Sequence, residues 1–137
     1  MLKTKYISIV LAVLLLTACA AKVEEPTVKE PTNPLISVAS PVAGAMVTSP
    51  LEVTGQARGY WFFEASFPVE LQDANGQQIA NNTASAQDDW MTEEFVPFKT
   101  TLTFDKPATA TGNLILHKDN PSGLPEKEDS ITIPVKF

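Results

Sequence analysis

Apolar and polar residues alternate in short runs along most of the chain, which is the period-2 pattern of half-buried β-strands. No window shows a convincing 3.6-residue period. Turn residues, chiefly glycine, proline, asparagine and aspartate, separate the runs at intervals of about 8 to 15 residues. The clearest runs cover 35–40, 51–58, 98–105, 114–117 and 131–137. The pattern therefore predicts an all-β fold.

The longest apolar alternation begins at Trp61, from which the odd positions are apolar as far as Leu71. It predicts a core strand, or two strands joined at Pro68. By this parity Trp61 faces the core, whereas Tyr60 and Phe62 lie on the opposite face.

A hairpin signal follows that run. Asn75-Gly76 tolerates positive φ at both central positions of a tight turn, and 77–80 is the expected return strand. The next segment, 81–97, is then too long for a simple hairpin loop. About seven short strands in roughly a hundred residues predict a β-sandwich.

The N-terminus predicts a delivery signal rather than part of the fold. Lys3 and Lys5 precede an apolar stretch of about ten residues, roughly half of what spans a bilayer. It ends in Leu16-Thr17-Ala18-Cys19, which resembles the bacterial lipobox. That resemblance implies that 1–18 is a signal peptide, cut before Cys19, and that Cys19 is lipidated. The alternative is a signal anchor that is not cleaved.

The resemblance also implies that acyl chains such as palmitate hold the mature chain at a membrane of the bacterial cell envelope, outside the cytoplasm. Ala20 stands where an aspartate would resemble an inner-membrane retention signal, which favours the outer membrane in a cell with two membranes. Residues 19–34 form a polar, proline-rich tether, too poor in apolar residues to fold. The predicted folded domain is 35–137.

Charge and composition exclude several classes of function. The sequence holds 10 Lys+Arg against 16 Asp+Glu, a net charge of −6, which argues against nucleic acid as a partner. After removal of the signal, 8 basic residues face 16 acidic ones, a formal charge of −8. Anionic lipid repels such a body, so the anchor has to hold it. A single cysteine and a single histidine predict no metal cluster. No catalytic or phosphate-binding motif is present, so the expectation is no enzyme and no cofactor.

Four blocks that occur in order resemble a known family. They run Ser40–Gly59, Trp61–Val69, Trp90–Phe98 and Lys118–Pro125, and together they look like the immunoglobulin-like domain found beside the GerMN domain in bacterial spore-germination proteins. The resemblance covers about 34–137 and implies an immunoglobulin-like sandwich in a cell-envelope setting. It implies no catalytic residues, and it leaves a role in germination open.

The first candidate binding residues flank the segment that starts at Gly59. Arg58 and Glu64 are expected either to form an ion pair that fixes a corner between two strands, or to offer a polar contact at a partner surface. Tyr60 and Phe62 form an interaction patch if their face is exposed. If a second sheet or the 81–97 segment covers that face, they belong to the core, which we expect for Phe62.

Two further candidates lie in loops. Trp90 and Met91 are expected to dip into the core, while the four carboxylates that bracket them stay solvated. The spacing of these carboxylates does not match that of a calcium-binding loop. Asn120 belongs to the turn-rich stretch 119–123, which is either a structural turn or a recognition loop at the end of the sandwich.

These observations favour a non-enzymatic, lipid-anchored interaction or assembly module with an unknown envelope protein as its partner. The alternative is a module that binds an envelope glycan, in which Tyr60, Phe62 or Trp90 stacks on sugar rings. Such a module needs an exposed, coplanar pair of aromatic rings.

Overall fold

The protein, in a computed structural model, is described from residue 27 to residue 137. The predicted signal peptide and Cys19 lie outside these residues. Within them, no helix has both the length and the apolar character needed to cross a bilayer. Seven strands, all paired antiparallel, account for the regular structure: β1 Ile36–Ser40, β2 Leu51–Arg58, β3 Ser66–Asp73, β4 Gln78–Ala86, β5 Phe95–Leu102, β6 Thr111–His117 and β7 Ser130–Lys136. Short 3₁₀ turns occupy Gly59–Trp61 and Pro125–Lys127.

The strands form one hydrogen-bonded series in the order β1-β2-β5-β4-β3-β6-β7, which folds over at β4 into two layers. β4 pairs with β3 from Gln78 to Ser85, but with β5 only at Ser85 and Ala86. In a flat sheet β3 and β5 would lie about 9.5 Å apart. The rings of Phe67 on β3 and Phe98 on β5 are 5.0 Å apart instead, because the two layers face each other. The predicted β-sandwich is therefore confirmed.

One hydrophobic core fills the space between the layers, and both layers contribute to it. Alternate residues of each strand point inward, as the period-2 pattern predicts. The fully buried set from the strands is Ile36, Val53, Ala57, Phe67, Val69, Leu71, Ala84, Val96, Phe98, Leu102, Leu114, Leu116, Ile133 and Val135. No disulfide joins the layers, since the described residues contain no cysteine.

The segment after β1 closes the far edge of the second layer. It leaves the layer of β1 and β2 and runs parallel to β7, where Gly44 N donates to Pro134 O at 2.7 Å and Val47 N donates to Lys136 O at 2.8 Å. Lys136 N returns a bond to Ala45 O at 2.9 Å. The backbone groups on the outer side of β7 are thus partly satisfied.

The long alternation from Trp61 is not one strand, and Pro68 does not join two. A tight turn interrupts it, because Phe63 and Ser66 exchange backbone hydrogen bonds of 3.0 and 3.1 Å around Glu64 and Ala65. Both central residues have positive φ, 49° and 62°, so the turn is type I′. The interruption shifts the parity: Phe62 is buried as expected, whereas Phe63 is exposed.

The hairpin at Asn75-Gly76 is confirmed, although its turn differs from the expected one. Only Gly76 has positive φ, at 78°, and its N–H donates to Asp73 O at 3.1 Å. The loop is therefore a type I turn followed by a left-handed glycine. The return strand continues to Ala86, so half of the segment that the sequence assigned to a long loop is β-structure.

The described part of the tether lies along the outside of β7. Asn33 Nδ2 donates to Asp129 Oδ1 at 3.1 Å near the start of that strand. Val28 lies near its end, so close to Gly44 that a Cβ built on that glycine would come within 3.1 Å of Val28 Cγ2. The chain therefore enters the domain beside the end of β7.

The turn at Glu64-Ala65 holds two L-residues in a conformation that asparagine and glycine adopt more easily. We expect the double change Glu64→Asn with Ala65→Gly to raise the free energy of unfolding by about 1–2 kcal/mol. Urea titration followed by tryptophan fluorescence measures this.

The matched control is Ala74→Gly in the other hairpin, where φ is not positive. It should lower stability by about 0.5–1 kcal/mol, because glycine then only adds freedom to the unfolded chain. A loss of stability in both hairpins would contradict the type I′ assignment.

Candidate functional site

Three loops meet at one end of the sandwich. Because the strands are antiparallel, 59–65, 87–94 and 118–129 all connect strands at the same end. We call this end, defined by those three loops, the acidic pole. All candidate binding residues from the sequence lie in these loops or at their border. They are Arg58, Tyr60, Phe62, Glu64, Trp90 and Asn120.

Backbone hydrogen bonds join the three loops. Gly59 N donates to Glu94 O at 3.1 Å, and Asp119 N donates to Trp61 O at 3.0 Å. Gly59 also has the backbone carbonyls of Trp90 and Thr92 directly against its Cα, so that no side chain fits there. The 59–65 loop therefore lies between the other two and fixes their relative positions.

The 59–65 loop is anchored by two buried aromatic rings. Trp61 is completely buried and Phe62 is 4% exposed. Both contact Phe67 edge-on, with ring centroids 6.4 and 5.2 Å away. Edge-to-face pairs of this kind add about 0.5–1.5 kcal/mol to the energy of area burial. Burial of these two rings keeps the rest of the loop at the surface.

Large apolar side chains remain exposed on this pole. Met91 is 78%, Tyr60 49%, Leu124 44% and Phe63 43% exposed, and each of the three loops supplies at least one of them. Trp90 is half-buried against the core. The expectation that Met91 dips into the core is thus wrong: the 87–94 loop turns only Trp90 inward.

Carboxylates lie in the same three loops as these apolar side chains. The three loops carry Glu64, Asp88, Asp89, Glu93, Glu94, Asp119, Glu126, Glu128 and Asp129. Lys118 and Lys127 are their only cations, and Arg58 lies at the border, which leaves a formal charge of −6 for the pole. Apolar and aromatic residues inside a charged rim are typical of protein-binding surfaces.

Arg58 does not pair with Glu64. Its Nη1 donates to Glu93 O at 3.2 Å and lies 3.7 Å from Glu94 Oε2, while its guanidinium stacks 4.1 Å from the centre of the Phe95 ring. Glu64 is exposed on the type I′ turn. The contacts of Arg58 brace the 87–94 loop rather than a corner of the 59–65 loop.

Asn120 organises its own loop. Its side-chain amide donates to Leu124 O at 2.9 Å, its backbone carbonyl accepts from Gly123 N at 3.1 Å, and Ser122 Oγ donates to Asn120 Oδ1 at 2.6 Å. These bonds close a compact turn that presents Leu124 to solvent. The structural role weighed for Asn120 is therefore present, and the loop still supplies an exposed apolar residue to the pole.

The surroundings of Asp119 shift the pKa of its carboxyl. Partial burial raises the pKa of its carboxyl above 3.8, the Asn120 backbone N–H opposes this, and the negative charge of Glu64 raises the pKa further. The charge of Glu64 thus acts on Asp119 across two loops of the pole.

A shallow groove of about 680 Å³ adjoins the pole between β6 and β7. Three of its titratable side chains are engaged by neighbours. His117 Nε2 is 3.4 Å from Glu70 Oε1, Lys118 Nζ donates to Lys127 O at 3.2 Å, and Asp129 Oδ1 accepts from Asn33 Nδ2. The described residues hold no cluster of three or more His, Cys, Asp or Glu that could bind a metal ion.

Sequence reasoning missed Phe63 and Leu124 as exposed residues. Phe63 has no local signal, because Glu64-Ala65 does not look like a turn. Leu124 does have one, since it stands between Gly123 and Pro125 in a stretch with no other large apolar residue.

Comparison with known proteins gives one family. Residues 35–123 match the family model described as the immunoglobulin-like domain of bacterial spore germination, Gmad2. The match spans about two thirds of the chain and includes every strand but β7. Neither curated proteins nor solved structures gave a match.

A substitution at Gly59 tests whether its close backbone contacts fix the 87–94 loop. Gly59→Ala should lower the free energy of unfolding by about 2–3 kcal/mol, because its Cβ would overlap backbone carbonyls that cannot swing away. Chemical denaturation measures this. Gly123→Ala is the control: φ is +66° but nothing lies within 4 Å of the new Cβ, so only the backbone strain of about 1 kcal/mol remains. Equal losses would contradict the close contact.

Asp119 gives a pH-dependent prediction. Because its pKa is raised on folding, the folded state binds a proton more readily, so the ionised carboxylate costs stability above the raised pKa. Asp119→Asn should therefore be more stable than the wild type at neutral pH. This advantage should shrink as the pH falls through the raised pKa towards 3.8. Thermal unfolding at a series of pH values measures the difference.

A second variant isolates the charge of Glu64. Glu64→Gln should lower the pKa of Asp119, as followed by NMR titration of its side-chain carboxyl carbon. An unchanged pKa would show that the two carboxylates do not interact.

Proposed function

This chain belongs to the Gmad2 family, the immunoglobulin-like domain of bacterial spore germination, and from that premise we propose that it is a non-enzymatic, lipid-anchored module that binds another envelope protein through its acidic pole. The partner presents a basic surface with an apolar centre. Immunoglobulin-like domains of this kind typically carry no catalytic site, which supports a binding role.

The observation that carries the proposal is the composition of the acidic pole. Tyr60, Phe63, Met91 and Leu124 expose apolar surface within a rim of carboxylates. Tyrosine and methionine are enriched at protein interfaces, where truncation of a few such residues removes most of the affinity. The carboxylates favour a partner of opposite charge and speed its association.

The pole is also preorganised for binding. Its loops are joined by backbone hydrogen bonds, and the 87–94 loop caps its own backbone: Met91 N donates to Asp89 Oδ1 at 3.0 Å and Glu94 N donates to Thr92 Oγ1 at 3.2 Å. Little conformational freedom is left to lose on association, which favours affinity.

The anchor and the location rest on the N-terminal sequence. The lipobox-like Leu16-Thr17-Ala18-Cys19 supports lipidation of Cys19, and with it a place in the bacterial cell envelope, at the outer membrane in a cell that has two. Two or three acyl chains give stable anchoring where a single chain would not.

A glycan ligand is less well supported than a protein. Phe62 is buried, so its face cannot stack on a sugar ring. Tyr60 and Trp90 remain, but neither belongs to a stacked aromatic pair among the described residues.

Site-specific crosslinking in intact cells tests the proposal. The photoreactive residue p-benzoylphenylalanine is placed at 63 or 91 on the acidic pole, or at the control positions 101 and 132, exposed threonines on the outer faces of the two layers. We expect position 63 and position 91 to give the same protein adduct, and the control positions to give none. With that partner purified, Met91→Ala should weaken binding about ten-fold without changing the unfolding midpoint.

Two outcomes would contradict the proposal. Adducts of equal yield at all four positions would show that the pole is not the binding surface. Adducts that contain glycan and no protein would favour the sugar-binding alternative.

A further inference from the structure

The end of the sandwich opposite the acidic pole differs from it in charge. It consists of the loops 41–50, 74–77 and 103–110, and we call it the neutral pole. Asp105 and Lys106 are the only charged residues in these three loops. The formal charge of the described domain is therefore concentrated at one end.

The neutral pole carries its own apolar surface. An open groove of about 470 Å³ is lined by Met46, Val47, Phe104 and Phe137, with Lys106 at its rim. The two phenylalanine rings contact edge-on with centroids 6.0 Å apart. Met46 is 66% exposed. At the border of this end, Lys136 ends β7 and Asp73 ends β3, and Glu30 Oε1 accepts from Ala43 N at 3.4 Å. The end therefore stays close to neutral.

The N-terminal segment enters the domain at this same end. Val28 lines a depression together with Ala74, Thr111 and Lys136, all of which belong to the neutral pole or its border. Cys19 stands eight positions before Thr27, where the described residues begin. Eight residues reach at most about 29 Å when fully extended.

We propose that the neutral pole rests on the surface of an anionic lipid bilayer. Met46 and the rings of Phe104 and Phe137 then contact the lipid, Lys106 and Lys136 lie at the headgroups, and the acidic pole points away from the membrane. This inference rests on the lipid anchor of the proposed function, and adds to it the orientation of the domain.

Three independent features agree on this orientation. A short linker keeps the neutral pole near any lipid attached at Cys19, because the chain leaves the domain there. The apolar groove matches a surface of acyl chains, and the near-neutral charge of this end lets it approach anionic headgroups. The carboxylates of the acidic pole are repelled by the same surface, so the opposite orientation is disfavoured.

The chain offers a matched pair of exposed methionines for the experiment, Met46 on the neutral pole and Met91 on the acidic pole. In Met46→Cys and Met91→Cys variants the new thiol is the only one besides Cys19, whose sulfur carries a diacylglyceryl group in the proposed mature form. Each purified lipoprotein is labelled with nitrobenzoxadiazole and reconstituted in vesicles of phosphatidylethanolamine and phosphatidylglycerol. Quenching is measured with a doxyl-labelled phospholipid.

We expect several-fold stronger quenching of the label at 46 than at 91. The double change Lys106→Glu with Lys136→Glu, in the Met46→Cys background, should reduce that quenching while the protein still floats with the vesicles. Vesicles of phosphatidylcholine alone should give the same reduction.

The results of these experiments distinguish the proposed orientation of the domain from the proposed lipid anchor. Equal quenching at 46 and 91, or stronger quenching at 91, in a protein that floats with the vesicles would overturn the orientation and leave the anchor intact. Failure to float, together with unchanged palmitate labelling in cells carrying Cys19→Ala, would overturn the anchor and the orientation with it.

Discussion

Burial of Trp61 is the constraint on which the rest of the acidic pole depends. The ring fills the end of the core against Phe67, so the short 59–61 turn has to cross over the end of the sandwich. Its backbone is then available to the loops on either side: Gly59 binds the 87–94 loop and Trp61 O binds the 118–129 loop. The indole N–H finds no acceptor among the described residues, which shows that packing, not hydrogen bonding, holds the ring.

The two ends of the domain differ in the surface that they offer to other molecules. One concentrates carboxylates around exposed apolar side chains, and the other is close to neutral and receives the N-terminal segment. Antiparallel topology makes this division possible, since each loop belongs to one end or the other. In the arrangement that we propose, a partner and a membrane contact opposite ends and do not compete for the same surface.

The fold could be predicted from the sequence because most strands have one buried face, and period-2 alternation records it directly. The strands with Leu51, Phe98 and Leu114 are of this kind. The turn at Glu64-Ala65 could not be predicted, because neither residue favours positive φ and the structure around them imposes it. One unforeseen turn shifted the parity and exposed Phe63.

The candidate site could be predicted only as a set of residues. Arg58, Tyr60 and Trp90 were singled out for their chemistry, and topology brings them to one end. The partner of Arg58 could not be foreseen, because Glu94 is 36 positions away along the chain. The segment 44–47 lies outside the alternating runs of the sequence, yet it pairs with β7. It leaves two open edges. One is β1, which is short and broken by a register shift at Val38/Ser40. The other is the 78–84 side of β4, which pairs with no strand. Pairing of copies edge to edge would therefore use β4 rather than β1.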